Sequence, residues 1–545
     1  MPMRSKRSQL DAVLCVWLLA GPLLAAAEPS EEKSTAAPES EVASAEATAL
    51  ETEAAVEADG AAAADAPAAG EHAAEVDPRV RPVEHEPGGF RPDPSYPATY
   101  DPAAQQEIYG GKHMNKTARP PIELGRDLYR EGPFSESGRA FGAKNPTKGH
   151  VMVYGDWRVG AAYNDNGVAD ENGTTYQSTV ATRLNLDFDL GLTATERIHV
   201  FVRPFDQNGD FTRYDISGKN EDSFEDNFDF NVDTVFFEGD MGALAMGASS
   251  KESRFDLPFA VGFMPLLTQN GVWLEDAFVG AAFGVLSARN SRALDISNFD
   301  VTLFAGFDEL TTGAATDRNG VLLEDVTDVY GLFGFVDANR GYWEFGYAYV
   351  DIDVDDLAYH NLTVAFSQRY GAFVSNSIRL IANVGQDPVE DRAKTADGEL
   401  LLIESSFITK HPSTVVPYVN LFVGLDTPQP LAKDAGAGGV LKNTGLSFET
   451  DGLTGFPRLD DRGHDSWGGA IGIEHLFKLD QQLVVEGAAV SRFDDSKLLG
   501  DQYGLSVRYQ RPFTNAWIVR FDVMHGWVED HEDLFGARIE LRRKL

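Results

Sequence analysis

The side chains with chemistry to offer in this sequence are arginines and carboxylates set at alternate positions among apolar neighbours. Arg158, Arg183, Arg203, Arg379, Arg492, Arg508, Arg520 and Arg538 recur in this setting, with Asp187, Asp189, Asp229, Asp233, Glu486 and Asp522 as counterparts. In Val519-Arg520-Phe521-Asp522-Val523 the charged and apolar residues have opposite parity. Groups placed this way on one wall act through their field: they sort ions by sign and neither form nor break bonds. Covalent chemistry has no comparable signature. There is no nucleophile elbow, phosphate-binding loop, zincin helix or dinucleotide fingerprint. The 11 histidines are scattered, with no pair at helical spacing on a credible helix. Gly110-Gly111 and Gly436-Ala437-Gly438-Gly439 are loop glycines. Asp351 to Asp356 resembles the start of a calcium loop, but it lacks the glycine at the sixth position and the glutamate at the twelfth. The expectation is no catalytic residue, no cofactor and no dedicated metal site.

The elements that would position these charges are strands. Leu184-Asn185-Leu186-Asp187-Phe188-Asp189-Leu190 alternates strictly, and Tyr503 to Gln510, Phe228 to Asp233, Trp343 to Tyr349 and Phe535 to Leu545 do the same. Alternation at period two marks half-buried strands. The connections fall into two classes. Ala194-Thr195-Glu196, Gly239 to Gly242, Asp337 to Gly341 and Pro512 to Asn515 read as tight turns; Gln207 to Asp226, Thr311 to Asp325, Asp387 to Gly398 and Leu425 to Asp465 are long and polar. Their alternation predicts an all-β, transmembrane antiparallel β-barrel of about 18 strands, with roughly 16 as the other count.

Aromatic placement assigns the faces. Trp517, Val519, Phe521, Val523, His525 and Trp527 share one side of a strand, with tryptophans at both ends where the two membrane interfaces would lie. With that side outward, the arginines and carboxylates named above become pore-lining. Leu257 to Leu267 is an apolar run within what counts as the third external loop. Such a run is costly to hold in water, so it is expected to fold into the lumen as a constriction through Leu257, Phe259, Phe263 and Leu266.

The N-terminal part reads differently. Residues 1–27 combine a basic start at Arg4, Lys6 and Arg7 with a short apolar core and Ala25-Ala26-Ala27, the pattern of a cleaved secretory signal peptide. It contains the single cysteine, Cys15. Residues 28–77 form an acidic Ala/Glu-rich tail expected to be disordered; 78–149 read as a proline-rich periplasmic strap, and 150–545 as the barrel. A net charge of −39 leaves no basic stripe for nucleic acid. The expected partners are outer-membrane lipid and lipopolysaccharide, a hydrophilic solute or polysaccharide, and a periplasmic partner at the strap.

The strand count, the arginine-bearing lumen and Phe236-Phe237-Glu238-Gly239-Asp240 leading into Leu244-Ala245-Met246-Gly247 resemble the alginate-export type of outer-membrane barrel. That resemblance implies export of an anionic polysaccharide through a basic constriction, although here the lumen arginines are matched by carboxylates. The expected function is an outer-membrane channel for passive passage or export of hydrophilic solutes. A sheath around a separate periplasmic electron carrier is second, and an outer-membrane hydrolase third.

Overall fold

The alternating segments pair edge to edge into one closed ring. The computed structural model describes residues 120–124 and 149–545, apart from positions 194, 208, 250, 254, 324–325, 372, 412–413, 450–451, 478–480, 494–499, 515 and 530. The signal peptide, the acidic tail and most of the strap lie outside the described residues. The first wall strands are β1 (His150–Asp165), β2 (Tyr176–Gly191), β3 (Arg197–Val202), β4 (Val232–Asp240), β5 (Pro258–Thr268) and β6 (Leu274–Ser291). Then come β7 (Ile296–Asp308), β8 (Thr327–Ala338), β9 (Gly341–Ile352), β10 (Tyr359–Tyr370), β11 (Val374–Val384) and β12 (Asp397–Phe407). The last six are β13 (Val415–Thr427), β14 (Ser466–Phe477), β15 (Gln481–Arg492), β16 (Gln502–Pro512), β17 (Trp517–Val528) and β18 (Leu534–Lys544).

Each strand is antiparallel to the next, and β18 pairs with β1 from Lys544 opposite Asp156 to Phe535 opposite Asp165. That closes an 18-stranded antiparallel barrel. Below Leu545, whose backbone exchanges hydrogen bonds with Gly155, the segment Ile122–Leu124 continues the same ladder along β1. One wall strand is built in two pieces. Arg197–Val202 pairs with the lower part of β2, residues 203–212 leave the wall, and Arg213–Gly218 resumes against β2 higher up.

Short connections lie at one end and long ones at the other, with three departures from the sequence reading. The first is the expected loop Gln207 to Asp226, where Arg213–Gly218 is wall strand and Ser223–Glu225 pairs with it. The tight turn expected at Gly239 to Gly242 is instead the start of helix α1 (Met241–Ser249). Asp240 caps it by accepting from the Ala243 N–H at 2.6 Å. The expected constriction loop is instead β5, a wall strand at its start. Period two is lost because this strand is apolar toward both sides. Pro258 opens the strand and Pro265 lies beyond the last β4 pair, two places where a missing N–H does no harm.

Outward positions carry the large apolar side chains. On β17 Phe521, Val523 and Trp527 are exposed while Asp522, Met524 and Gly526 are buried inward. Tyr163 stacks on Tyr176 at 5.7 Å near the long loops, and Phe513 on Trp517 at 6.2 Å near the short turns. Between these aromatic rows lie exposed aliphatics such as Leu362, Val364, Leu380, Leu505 and Val507. A belt this wide facing outward requires an apolar surrounding, and a ring with every strand paired is the sheet form that tolerates one.

The β5–β6 hairpin runs up the wall and then bends into the lumen. The bend falls at the pair Gly262 and Gly280, which face each other in register. Gly262 has φ 128°, and a Cβ on Gly280 would sit 2.0 Å from the Ala305 carbonyl oxygen. Side chains are thus excluded where the hairpin leaves its neighbours. Gly280→Val should cost about 1–3 kcal/mol through overpacking. It is read as a lower temperature for loss of the compact, unboiled gel band that a closed barrel shows. A wild-type midpoint would remove this pair as the hinge.

Candidate functional site

Three segments narrow the lumen. The first is the excursion 203–212, a small hairpin of Asp206–Gln207 with Asp210–Phe211. Arg203 holds its base, with Asp206 at 2.8 Å and Asp233 at 2.6 Å. The second is the bent tip of β5–β6. Its Trp273 is fully buried against the far wall, donating from Nε1 to Asn361 at 2.8 Å, and Thr363 donates to the Gln269 side chain at 3.0 Å. The third is the long connection 428–465, which enters the lumen and pairs Ala432–Lys433 with Leu274–Glu275 of the bent hairpin. Leu431, Leu441, Phe448 and Leu459 from this loop join Trp273, Leu274 and Phe278 in one buried apolar cluster inside the ring.

Charged wall residues hold that loop in place. Glu486 is 1% exposed. Its carboxylate accepts from the Tyr418 hydroxyl at 2.6 Å and from the Leu446 and Ser447 N–H groups at 2.8 and 2.9 Å. A bare buried carboxylate would be costly, and here each oxygen is hydrogen-bonded. Arg492 pairs with Asp460 and donates to the His464 carbonyl at 2.9 Å. Arg379 bonds Glu404 at 3.0 Å and the Gln269 carbonyl. On the opposite side Glu449 of the loop meets Arg508 at 2.6 Å and Arg520 at 3.5 Å, and Asp522 binds Arg508, Arg520 and Arg538 at 2.6, 2.8 and 2.7 Å. Glu275 pairs with both Lys433 and Lys442; burial, with Lys442 alongside, pulls the Lys433 ammonium down to about 8.

What remains open is a cavity of about 1550 Å³. Its lining extends from Ser406, Val416 and Glu474 at the short-turn end to Leu322 and Leu323 in a long loop. Of the residues read from sequence as pore-lining, Arg158, Arg183, Arg203, Arg520, Asp187, Asp229 and Asp233 reach this cavity. Arg508, Arg538 and Asp522 form the adjacent network with Glu449. Arg379, Arg492 and Glu486 lie under the infolded segments as anchors, and Asp189 is buried near Arg197, at 3.9 Å. Of the expected constriction, Phe263 and Leu266 reach the cavity lining. Phe259 packs instead with Phe237 and Phe283 on the outward side, and Leu257 stands before the strand begins. The principal narrowing element is therefore 428–465, not Leu257 to Leu267.

The lining carries five arginines and lysines against eleven carboxylates. This overturns the equal balance expected from the strands alone. Glu275, Asp276, Glu309, Asp434 and Glu449 come from the bent hairpin and the loops, which strand alternation does not reach. Arg183 has no carboxylate at ion-pair distance among the described residues. It donates to Asn185 at 2.8 Å and lies over the Phe211 ring at 5.2 Å.

No family model matches the sequence, and no curated protein matches it. Solved structures resemble the barrel distantly. A BenF-like porin from Pseudomonas fluorescens is 13% identical with a TM-score of 0.48, covering 72% of this chain and 98% of that one. Pseudomonas aeruginosa OpdK with vanillate is 12% identical with a TM-score of 0.46, covering 72% and 98%. Acinetobacter baumannii OccAB4 is 9% identical with a TM-score of 0.46 and the same coverages. Similarity this distant transfers no solute and no residue role, and the alginate-export likeness stays a reading of the sequence.

Glu486→Ala should strand the Leu446 and Ser447 N–H groups and the Tyr418 hydroxyl, at roughly 1–3 kcal/mol for each buried group left unpaired. The loop should then leave the wall while the ring stays closed. The expected result is a larger single-channel conductance with an unchanged heat-modifiable band. Equal conductance would show that the loop does not limit the pore.

Proposed function

We propose that this chain is a bacterial outer-membrane channel for small hydrophilic solutes, with a lumen that favours cations. The observation that carries the reading is the pairing of an outward apolar belt with a polar cavity whose lining spans both ends of the ring. A closed ring is the only sheet that can present such a belt to hydrocarbon without open edges. The N-terminal pattern of a secretory signal fits the same location. The free volume, about 1550 Å³, exceeds the roughly 300–1,000 Å³ of a ligand pocket, so a small solute has room to enter. A folded periplasmic partner would not fit unless all three infolded segments withdrew, and a polysaccharide chain would need the loop 428–465 displaced.

Charge sets the preference. Fixed groups close to the path dominate permeation in a narrow pore, and the carboxylates on this lining outnumber the cations. Planar-bilayer recordings under a KCl gradient should give a reversal potential on the cation side. Asp187→Asn with Asp229→Asn should move it toward zero, and Arg183→Glu should move it further to the cation side. These shifts should shrink at 1 M salt, where the screening length is roughly 3 Å. Anion preference, or no conductance from protein with an intact heat-modifiable band, would overturn the reading.

A further inference from the structure

The wall has a break on its long-loop side. β4 pairs with β5 only from Asp240 opposite Pro258 to Val235 opposite Phe263. Above that point no strand lies against this edge of β4 among the described residues, because β5 and β6 turn inward together after Gly262 and Gly280. β6 leaves β7 at Val279 opposite Asp308, and its far end pairs with Ala432–Lys433 inside the lumen. An uncovered sheet edge facing hydrocarbon is costly. The uncovered stretch here is short, Val232 to Thr234 at the long-loop end of β4.

The cavity reaches this break. Val232, Asp233 and Thr234 all line it, although consecutive side chains on a strand point to opposite faces. Pro265, Leu266 and Leu267, on the inward-turned part of β5, line it as well. A cavity that touches both faces of β4 at this point passes around its edge. Its lining there is divided. Phe263, Pro265, Leu266 and Leu267 form an apolar side, with Leu267 63% exposed, while Arg203, Asp229 and Asp233 form a charged one. Outside, Val235, Val261, Val279 and Phe307 are exposed and continue the lipid-facing belt up to the break.

We propose that the break is a side port, through which the apolar part of an amphipathic small molecule moves between the lumen cavity and the leaflet on the long-loop side. The polar end of that molecule stays on the charged side of the cavity. Amphipathic solutes are chosen because the lining offers one apolar and one charged surface, and because the apolar one is continuous with lipid. The transport consequence rests on the channel reading, whereas the port itself is testable without ion flow.

Single-cysteine labelling in a Cys15→Ser background tests it. A bimane label is placed at Leu267→Cys, at Val261→Cys as a lipid-facing reference, and at Ser406→Cys as a lumen reference near the short-turn end. Each protein is reconstituted into phosphatidylcholine vesicles containing doxyl-labelled phosphatidylcholine. The label at position 267 should be quenched about as much as that at 261 and well above that at 406. Quenching at 267 equal to that at 406 overturns the port, whether or not the protein conducts. In bilayers, decyltrimethylammonium should block at a concentration roughly tenfold or more below that of tetramethylammonium, as burial of added methylenes predicts. Leu266→Asn with Leu267→Asn should narrow that difference. Equal block by the two cations overturns the amphiphile as the ligand class.

Discussion

Backbone hydrogen bonding without water is the constraint on which this structure depends. Inside hydrocarbon each N–H and C=O must find a partner on the chain itself, and a sheet can do this only by closing. The ring formed by β18 pairing with β1 meets that demand, and Ile122–Leu124 extends the pairing along β1 below Leu545. Once the ring is closed, side chains must follow its pleat. Large apolar residues face out, and on strands such as β17 charged ones face in, so part of the lumen's charge is a consequence of the belt.

A wide ring would enclose a wide pore, and this one is filled by its own connections. The filling is apolar at its centre, where Trp273, Leu441 and Phe448 are fully buried, and polar where it touches the wall. Many inward charges are therefore occupied with architecture. Glu486 holds a turn of the loop by its backbone, and Arg492 pins the loop through Asp460. Groups such as Asp187, Asp229 and Arg183 meet the open cavity. Burial separates the two sets: a charge with all its hydrogen bonds made to protein has little left for a passing solute.

Strand existence and face were legible because period two is a local property. Phe521, Asp522 and Val523 on β17 fall on the sides that their alternation assigns, and the long polar connections at 311–325, 387–398 and 425–465 are loops as read. Readings failed where the local signal changes meaning, among them Gln207 to Asp226, where Arg213–Gly218 is wall strand, and Phe228 to Asn231, which precedes β4. Met241 to Ser249 has no alternation and became a helix rather than the far side of a tight turn. Leu257 to Leu267 reads as an infolding loop because it is apolar throughout; its first half is instead a wall strand, and only the part beyond Gly262 turns inward. The loop 428–465 carries Leu431, Val440, Leu441, Leu446, Phe448, Leu453, Phe456 and Leu459. That apolar content, weighed as the run at 257–267 was, would have marked it as the infolded element.

By itself the sequence determined the class of fold, an approximate strand count and the outward belt, since each follows from neighbours one or two positions apart. Tertiary structure alone decided which inward charges meet solvent, where the hairpin bends and what charge the cavity presents. Glu449 meets Arg508 and Arg520, and Asp276 takes the Thr311 N–H at 2.7 Å, through contacts between segments far apart in the chain. Such contacts are set by how loops fold back into a closed ring, and no local periodicity records where they land.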